Sequence, residues 1–334
     1  MRLGLGGGGT DVNPFNEKYG ASVLNVTIAK YAHSTITYSD ANTSSIISQD
    51  RNYILNSDIK ELLKVDLSLV DSSVRFQVAT LQYFHNEFNH CPKSQIIFSS
   101  MCDTYHGSGL GASSSILVSQ IKCLSKYFNF VLDDYDLAKT AINIERNICN
   151  INGGFQDQYA ATFGGFNYML TEPGTPENVQ VHGLKIPNWI KAELTSRMLM
   201  LHVDRVSNID DIFDDIKTTS TDSNLLEMKD LTNTLKNQLL KGALDDFTET
   251  FNLLWKLKEQ TSKKILPETL RSIFDFAFKN GATAGKVSGA GGGGFFVFLC
   301  DPTVKGGLMR SLQSMNSRIE SVTFDDLGAQ SWEI

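Results

Sequence analysis

Gly107-Ser-Gly-Leu-Gly-Ala-Ser-Ser-Ser115 (GSGLGASSS) is the stretch that most constrains the fold, because it leads directly into a segment with helical spacing of apolar residues from Leu117 to Leu124. The free N–H groups and the dipole at the start of a helix bind anions, and glycines let a phosphate reach the backbone. The hydroxyls of Ser113 and Ser114 either cap this helix or hold a cation that is bound to a phosphate. The segment therefore predicts a phosphate site at a helix start.

Two further glycine runs, Gly4–Gly9 (GLGGGG) and Gly289–Gly294 (GAGGGG), lie towards the two ends of the chain. Such runs indicate positive φ or a close approach of backbone to a ligand, although each run by itself also fits a flexible turn. The first run matches the G-x-G-x-x-G dinucleotide fingerprint, but only three residues precede it and the sequence after it does not open a helix. Three runs in one chain favour a ligand site, and a nicotinamide-dependent dehydrogenase is kept as a rival interpretation.

Two acidic residues are candidates for phosphoryl-transfer chemistry. Glu145 lies beside the apolar stripe of a helix that we predict from near Asp133 towards Cys149, and no basic residue lies four positions away from it. A half-buried carboxylate of this kind favours a bound metal, and a salt bridge to a distant residue is the alternative. Asp157 follows two glycines in Asn152–Ala160 (NGGFQDQYA), which we predict to be a loop that presents this carboxylate as a general base.

The composition is that of a globular protein with two domains or one large one, since the chain has 334 residues, of which 41% are hydrophobic and 20% are charged. The net charge of −7, without a block of like charge, argues against a nucleic-acid or membrane surface. The five cysteines form no C-x-x-C pair, the start of the chain lacks the features of a signal peptide, and the most apolar run, Phe295–Cys300, is too short to cross a bilayer. These features predict a cytoplasmic protein.

Apolar spacing and alternation predict helices and strands along most of the chain. The predicted strands are Val23–Tyr38 with a turn near Lys30, Ser94–Ser100, Arg197–Val203, Gly294–Cys300 and Ile319–Thr323, and the further predicted helices are Leu225–Leu240, Phe247–Leu257 and Leu270–Phe278. The stretch Leu170–Trp189 carries three prolines and two glycines, which predicts a loose connection between domains. We place the two domains at residues 1–178 and 179–334.

Three motifs in chain order resemble those of the GHMP sugar-kinase family, which includes galactose, homoserine, mevalonate and phosphomevalonate kinases. They are Arg2–Asp11 (RLGLGGGGTD), Gly107–Ser114 (GSGLGASS) and Lys286–Gly294 (KVSGAGGGG). The resemblance spans nearly the whole chain. It implies an α+β fold with two lobes, an N-terminal α/β lobe and a ferredoxin-like C-terminal lobe, and a site for ATP and Mg²⁺ between them.

Within the family, the GGGGTDV and GGFQDQYAA segments look most like the bacterial heptose kinases, which phosphorylate D-glycero-D-manno-heptose 7-phosphate on carbon 1 to give the 1,7-bisphosphate. The resemblance therefore implies a small sugar phosphate as the partner, no nucleic acid or membrane, and a monomer or homodimer. The alternatives are galactose or fucose as the acceptor, or a sugar-sensing relative without catalysis.

The resemblance also implies roles for individual residues. Asp157 matches the catalytic aspartate, and Arg2 matches the basic residue that assists the acceptor hydroxyl. Ser113 and Glu145 match the magnesium ligands. The residues implied in substrate binding are Gly9, Thr10, Asp11 and, from a looser match, Arg205. The residues implied in ATP binding are Gly107, Ser108, Gly109, Leu110, Gly111, Ala112, Ser113, Ser114 and Lys286.

The second motif departs from the family pattern at two places. Tyr105-His106 stands where prolines are usual, and Ala112 stands where serine is usual. These differences leave the detailed shape of the loop open, but they do not remove the loop.

Overall fold

The computed structural model describes residues 1–105, 107–207, 211–212, 215–216, 221–315 and 318–334. Its strands are β1 (Arg2–Gly6), β2 (Ser22–Thr27), β3 (Ala32–Tyr38), β4 (Ser44–Ser48), β5 (Tyr53–Ser57), β6 (Ile96–Cys102), β7 (Phe166–Glu172), β8 (Thr175–Leu184), β9 (Met198–Val203), β10 (Ala282–Val287), β11 (Gly294–Cys300) and β12 (Arg318–Ser321). Its helices are α1 (Phe15–Tyr19), α2 (Ile59–Leu62), α3 (Arg75–Phe88), α4 (Ala112–Tyr127), α5 (Asp134–Ile142), α6 (Gln156–Phe163), α7 (Asn188–Arg197), α8 (Asp222–Lys241), α9 (Leu244–Gln260), α10 (Glu268–Lys279) and α11 (Lys305–Gln313). None of the helices in these ranges combines the length and the apolar content needed to cross a bilayer.

An antiparallel sheet in the order β1-β2-β7-β8 forms the centre of the N-terminal half. Every residue of β2 is buried, because α6 and α8 both pack on this strand. The neighbouring strand β1 pairs with β2 from Arg2, opposite Thr27, to Gly6, opposite Leu24. This pairing fixes the first glycine run and Arg2 to the rigid part of the molecule.

A second sheet has the order β3-β6-β4-β5 and carries the helix that follows the central glycine run. Helices α3 and α4 pack together and bury an apolar cluster with this sheet, in which Phe84, Phe98 and Leu117 are fully buried. The apolar face of α4 is the one that the spacing from Leu117 predicts. Its burial fixes the position of α4 and therefore of its first turn.

The C-terminal half is built on a third sheet in the order β10-β11-β9-β12, in which all neighbours are antiparallel. Numbered by their order in the chain, these strands lie as 2-3-1-4, which is the ferredoxin-like arrangement. All residues of β11 are buried, as expected for a continuous apolar run in the middle of a sheet. The predicted ferredoxin-like lobe is confirmed.

The strands and helices predicted from apolar spacing are present, but the prediction for Leu170–Trp189 is wrong. Most of this stretch forms the β7–β8 hairpin, with Pro173 and Gly174 in its turn. Prolines are tolerated here because β8 is the outer strand of its sheet, where a missing N–H does not break a ladder on both sides. The predicted division at residues 178 and 179 falls inside β8; it stays a prediction, and the pairing favours a boundary beyond Leu184.

The segment 323–329 runs from the C-terminal sheet back onto the N-terminal half. The N–H groups of Ala29 and Asp325 donate to the carbonyl oxygens of Thr323 and Thr27, with N–O distances of 2.8 and 3.1 Å. Farther along, the N–H of Ala329 donates to the carbonyl oxygen of Thr162 at 3.1 Å. This return segment therefore covers the end of β2 and part of α6 with residues from the C-terminal half of the chain.

Candidate active site

The three glycine runs, far apart in sequence, meet at one cleft. The N–H of Arg2 donates to the carbonyl oxygen of Leu110 at 3.0 Å, and the N–H of Phe295 donates to the carbonyl oxygen of Ser108 at 2.9 Å. The hydroxyl of Ser288 donates to the carbonyl oxygen of Gly109 at 2.8 Å. The central run is therefore held on one side by β1 and on the other by the segment between β10 and β11.

Glycine is required where these segments touch. Gly109 has φ of +74°, and a Cβ atom at this position would lie 2.3 Å from the carbonyl oxygen of Ser288. Gly294 has φ of +94°, and its Cβ would lie 2.5 Å from the carbonyl oxygen of Ser108. Both the left-handed backbone and the close approach of two chains exclude a side chain. Two of the three runs thus need glycine for contacts within the protein itself.

Helix α4 begins in the cleft without a side-chain cap. Gly111 is its N-cap residue and has left-handed φ of 72°, and no side chain within the described ranges is seen to cap the first-turn N–H groups. Ser113 and Ser114 instead donate their hydroxyls to the two carboxylate oxygens of Glu145, at 3.1 and 2.8 Å. The capping alternative for the two serines is therefore wrong, and the uncapped first turn is suited to bind an anion.

Glu145 is buried, with 2% of its surface exposed, and a π-helical turn holds it. The turn covers Asn143–Ile148 and continues α5, and such turns are common at functional sites. Gln158 also donates its side-chain N–H to Glu145. The guanidinium of Arg146 lies 3.6 Å from the carboxylate. The basic partner is thus the adjacent residue rather than one four positions away.

The oxygens of Ser113 and Glu145 fit a magnesium ion by their chemistry. Mg²⁺ prefers oxygen ligands and is usually held by one or two carboxylates together with water and substrate phosphates. In the described part of the chain, no group of three His, Cys, Asp or Glu side chains lies together as a metal site. This single carboxylate is consistent with a magnesium ion that is held partly by a phosphate ligand.

Asp157 lies in the first turn of α6, so the prediction that it lies in a loop is wrong. The residues Asn152–Phe155 before it are irregular, and the glycine pair in them masked the start of a short helix. The Nε of Arg2 donates to the Oδ1 of Asp157 at 2.6 Å, and Nη1 of Arg2 donates to the carbonyl oxygen of Gly109 at 2.7 Å. The structure therefore brings the two predicted catalytic residues together.

Asp157 also lies beside the start of α4, so its carboxylate is next to the predicted phosphate site. A Cβ atom placed on Gly111 would lie 3.1 Å from the Cγ of Asp157. Asp157 keeps 24% of its side-chain surface exposed, whereas only 5% of the Arg2 side chain is exposed. The carboxylate is thus accessible from the cleft, and the arginine behind it is fixed.

The candidate substrate residues of the first motif separate into two groups. Asp11 is buried and accepts from the N–H groups of Gly9 at 3.0 Å and Gln156 at 3.3 Å. Burial raises the pKa of the Asp11 carboxyl, and the nearby Asp157 acts in the same direction while the two N–H donors oppose it. Asp11 and Gly9 line the cleft. The Thr10 hydroxyl instead donates to backbone carbonyl oxygens inside the protein and is not among the described residues that line the cleft.

Two other predicted ligand residues are placed differently from what the resemblance implies. Arg205 lines the cleft, but its Nη2 donates to the carbonyl oxygen of Gly107 at 2.8 Å and its Nη1 to that of Gly291 at 2.5 Å. Lys286 is not among the described residues that line the cleft; its ammonium lies 5.6 Å from the ring centroid of Phe251. The structure thus gives Arg205 a role in joining two glycine runs and gives no support to ATP binding by Lys286. His106 lies outside the described residues.

Lys258 in α9 is among the residues of the cleft that the sequence motifs did not indicate. Its Nζ donates to the carbonyl oxygen of Gly289 at 2.7 Å, and the side chain lines the cleft. Burial, together with the charge of Arg2, lowers the pKa of Lys258 to about 8. A signal was present, because Lys258 follows the buried Phe251 and Leu254 at helical spacing, where an apolar residue is expected.

Both halves of the chain match family models. Residues 75–165 match the GHMP kinases N terminal domain, and residues 235–315 match the GHMP kinases C terminal domain. The chain is 35% identical over 339 residues to the D-glycero-alpha-D-manno-heptose 7-phosphate kinase of Campylobacter jejuni, in an alignment that covers 100% of this chain and 97% of that protein.

Solved structures agree with the sequence matches. The structure of a D-glycero-D-manno-heptose 1-phosphate kinase from Bacteroides thetaiotaomicron superposes with a TM-score of 0.84 at 31% identity, covering 100% of this chain and 97% of that one. The galactokinase of Lactococcus lactis, solved with galactose, superposes with a TM-score of 0.75 at 14% identity, covering 98% of this chain and 92% of that one. At that lower identity the likeness concerns the fold alone.

Proposed function

The chain belongs to the GHMP kinase family and is a sugar kinase, and on that premise we propose that it transfers the γ-phosphoryl group of ATP to the anomeric hydroxyl of D-glycero-D-manno-heptose 7-phosphate. The product would be the 1,7-bisphosphate. The observation that carries the proposal is the 2.6 Å contact between Arg2 and Asp157 beside the uncapped start of α4. The choice of acceptor rests on the full-length similarity to a heptose kinase.

The central glycine run would hold the phosphates of ATP. The N–H groups of the first turn of α4 are free of side-chain caps and face the cleft with the positive end of the helix dipole. Ser113 and Glu145 would hold Mg²⁺, which supplies neutralisation of charge on the phosphoryl oxygens. Gln158 keeps the Glu145 carboxylate in place through its side-chain N–H.

Asp157 would accept the proton of the anomeric hydroxyl. As the phosphoryl group leaves the terminal bridging oxygen of ATP, the sugar oxygen forms a bond to phosphorus and gives its proton to the carboxylate. Arg2 orients this carboxylate through Nε, and its position beside Gly109 allows it to stabilise the negative charge that develops on the sugar oxygen. The chain thus supplies both the base and the adjacent cation.

The sugar would lie against the first glycine run. Asp11 is held by two backbone N–H groups, so its carboxylate has a fixed direction for hydrogen bonds to sugar hydroxyls. Arg205 keeps a free donor, since its Nε is buried and has no hydrogen-bond partner within the described ranges. We keep Arg205 as a candidate for the acceptor's phosphate through this one atom. We also propose a cytoplasmic monomer or homodimer, because ATP is the donor and the five cysteines are unpaired.

A coupled assay of ADP release tests the proposal. The acceptors would be D-glycero-D-manno-heptose 7-phosphate, mannose 6-phosphate, galactose, fucose and mevalonate, each with ATP and Mg²⁺. We expect the highest kcat/KM with the heptose phosphate. A higher value for galactose or fucose would contradict the acceptor assignment, and no release of ADP with any acceptor would favour the sugar-sensing alternative.

A further inference from the structure

Lys258 lies where two of the three glycine runs face each other across the cleft. Its Nζ donates to the carbonyl oxygen of Gly289 in the third run at 2.7 Å. On the opposite side, a Cβ atom placed on Gly8 of the first run would lie 3.8 Å from this Nζ. The ammonium group is thus held between the third glycine run and the first run, against which the sugar would bind.

The contact with Gly289 places Lys258 next to the phosphate loop. A Cβ atom on Gly289 would lie 2.8 Å from the Cα of Gly109, so the two backbones touch. The carbonyl oxygen of Gly109 also accepts from Arg2 and Ser288. Arg2 therefore binds the central run directly, whereas Lys258 binds Gly289, the residue of the third run that touches Gly109.

The charges around Lys258 leave its ammonium available to an anion. No carboxylate among the described residues forms an ion pair with it, and its hydrogen bond to Gly289 uses one of its three N–H donors. Asp157 is paired with Arg2, and Asp11 accepts from two backbone N–H groups. Two cations, Arg2 and Lys258, thus lie close together in a half-enclosed cleft, an arrangement that attracts a multiply charged anion.

We propose that Lys258 is a further catalytic residue of the phosphoryl transfer, and that its ammonium donates to the non-bridging oxygens of the γ-phosphoryl group as this group moves from ATP to the sugar. The inference rests on the proposed function. Lys258 forms no covalent bond in this step. The phosphoryl group leaves the β-phosphate oxygen, joins the sugar oxygen, and the sugar proton goes to Asp157, while Lys258 balances charge along the path.

Lys258→Met keeps the length of the side chain and removes the charge. We expect kcat to fall by about 10²–10³, the usual loss when one donor to a developing anion is removed, with little change in the KM of the acceptor. Lys258→Arg, which keeps the charge, should recover part of this loss. Lys256→Met is the matched control, because Lys256 lies on the exposed side of the same helix and should leave kcat unchanged.

Nucleotide binding separates this inference from the proposed function. Calorimetry with a non-hydrolysable ATP analogue and with ADP should show that Lys258→Met weakens the analogue more than ADP, whichever sugar is the acceptor. If the wild-type protein binds both nucleotides but phosphorylates none of the acceptors, the proposed function is contradicted. The comparison of analogue binding with ADP binding still tests Lys258 in that case. Three results for Lys258→Met would each overturn the role of Lys258. They are a kcat within about threefold of the wild-type value, an equal loss of affinity for the analogue and for ADP, and a rise only in the KM of phosphorylated acceptors.

Discussion

At the scale of single residues, the geometry of the cleft depends on Arg2, which connects the candidate base Asp157 to the central glycine run. It donates to Asp157 through one nitrogen and to the carbonyl oxygen of Gly109 through another. A guanidinium can hold two partners in fixed directions, which a lysine cannot do. The position of the base therefore follows from the position of the loop.

Asp157→Asn should reduce kcat to below about a tenth of the wild-type value, because general bases contribute about 10²–10⁴ in rate. The amide keeps the size of the side chain but cannot accept the sugar proton. The measurement is kcat from ADP release at saturating ATP and acceptor. Asp40→Asn, at an exposed position, is the control, and a variant at Asp157 that keeps more than a tenth of the activity would refute the role as base.

The activity of the enzyme should fall at alkaline pH, because Lys258 loses its charge there. Burial and the Arg2 guanidinium lower its pKa from 10.5 to about 8, while Asp11 and Asp157 oppose this shift, and Lys286 faces it from β10. Because the charged form exists below the pKa, kcat/KM for ATP should fall as pH rises through about 8. In Lys258→Arg this decline should vanish, since guanidinium stays protonated; the same decline in both proteins would contradict the assignment.

The residues of the site were predicted to different degrees. The motifs indicated Arg2, Ser113 and Asp157, which lie beside glycine runs. Glu145 was indicated by its position beside the apolar stripe of the helix predicted from Asp133. For Lys258, helical spacing places the residue on the buried face of α9, but only tertiary packing shows that this position lines the cleft. Thr10 and Lys286 lie inside the protein, which their motifs did not show. A motif fixes the path of the backbone but not the direction of every side chain.

At the scale of helices and strands, the junction between the central run and the segment after β10 is a close backbone contact that borders the site. Gly109 and Ser288 approach so closely that only glycine fits, and Gly109 also needs positive φ. The junction holds the loop at the start of α4 in one position. We therefore expect the geometry of this junction to matter for the proposed nucleotide binding as much as any polar side chain.

Gly109→Ala should weaken ATP binding at least about tenfold and also lower stability, because the new methyl group would meet the Ser288 carbonyl and left-handed backbone disfavours alanine by about 1 kcal/mol. Calorimetry with the ATP analogue and thermal unfolding measure the two effects. Gly183→Ala is the control, since Gly183 lies in β8 with nothing near its Cβ position. Unchanged ATP affinity in Gly109→Ala would show that the loop does not hold the nucleotide.

Long elements were predictable and short ones were not. The apolar spacing of α4 predicts a helix, and the continuous apolar run of β11 predicts a buried strand. Each of these patterns fits few other kinds of secondary structure. The short helix α6 and the π-helical turn after α5 depend on packing around Glu145 and Asp157. The hairpin β7–β8 was missed because prolines at its turn and edge look like a loop in sequence.

At the scale of the whole molecule, the return segment 323–329 joins the two halves. It adds backbone hydrogen bonds to Thr27 and Thr162 and places Phe324 against Phe166, with ring centroids 5.0 Å apart. The resemblance to the GHMP kinase family implied a cleft between two lobes. It did not predict this segment, which carries no motif and gains its structure only from the surface that it covers.

Removal of residues 323–334 should lower the thermal midpoint by about 5 °C or more, from the loss of several backbone hydrogen bonds and of the Phe324 contact. Differential scanning calorimetry measures the change. Removal of residues 331–334 is the control, because these positions are mostly exposed. Equal midpoints for the longer deletion and the full chain would show that the segment adds nothing to stability.

The return segment also has a consequence for synthesis on the ribosome. Asp325 is translated after all the strands of the ferredoxin-like sheet, yet it pairs with Thr27, near the beginning of the chain. The end of β2 and part of α6 therefore stay uncovered until the last residues of the chain have left the exit tunnel. Nascent chains stalled before residue 323 should bind chaperones at this surface more strongly than full-length chains released from the ribosome.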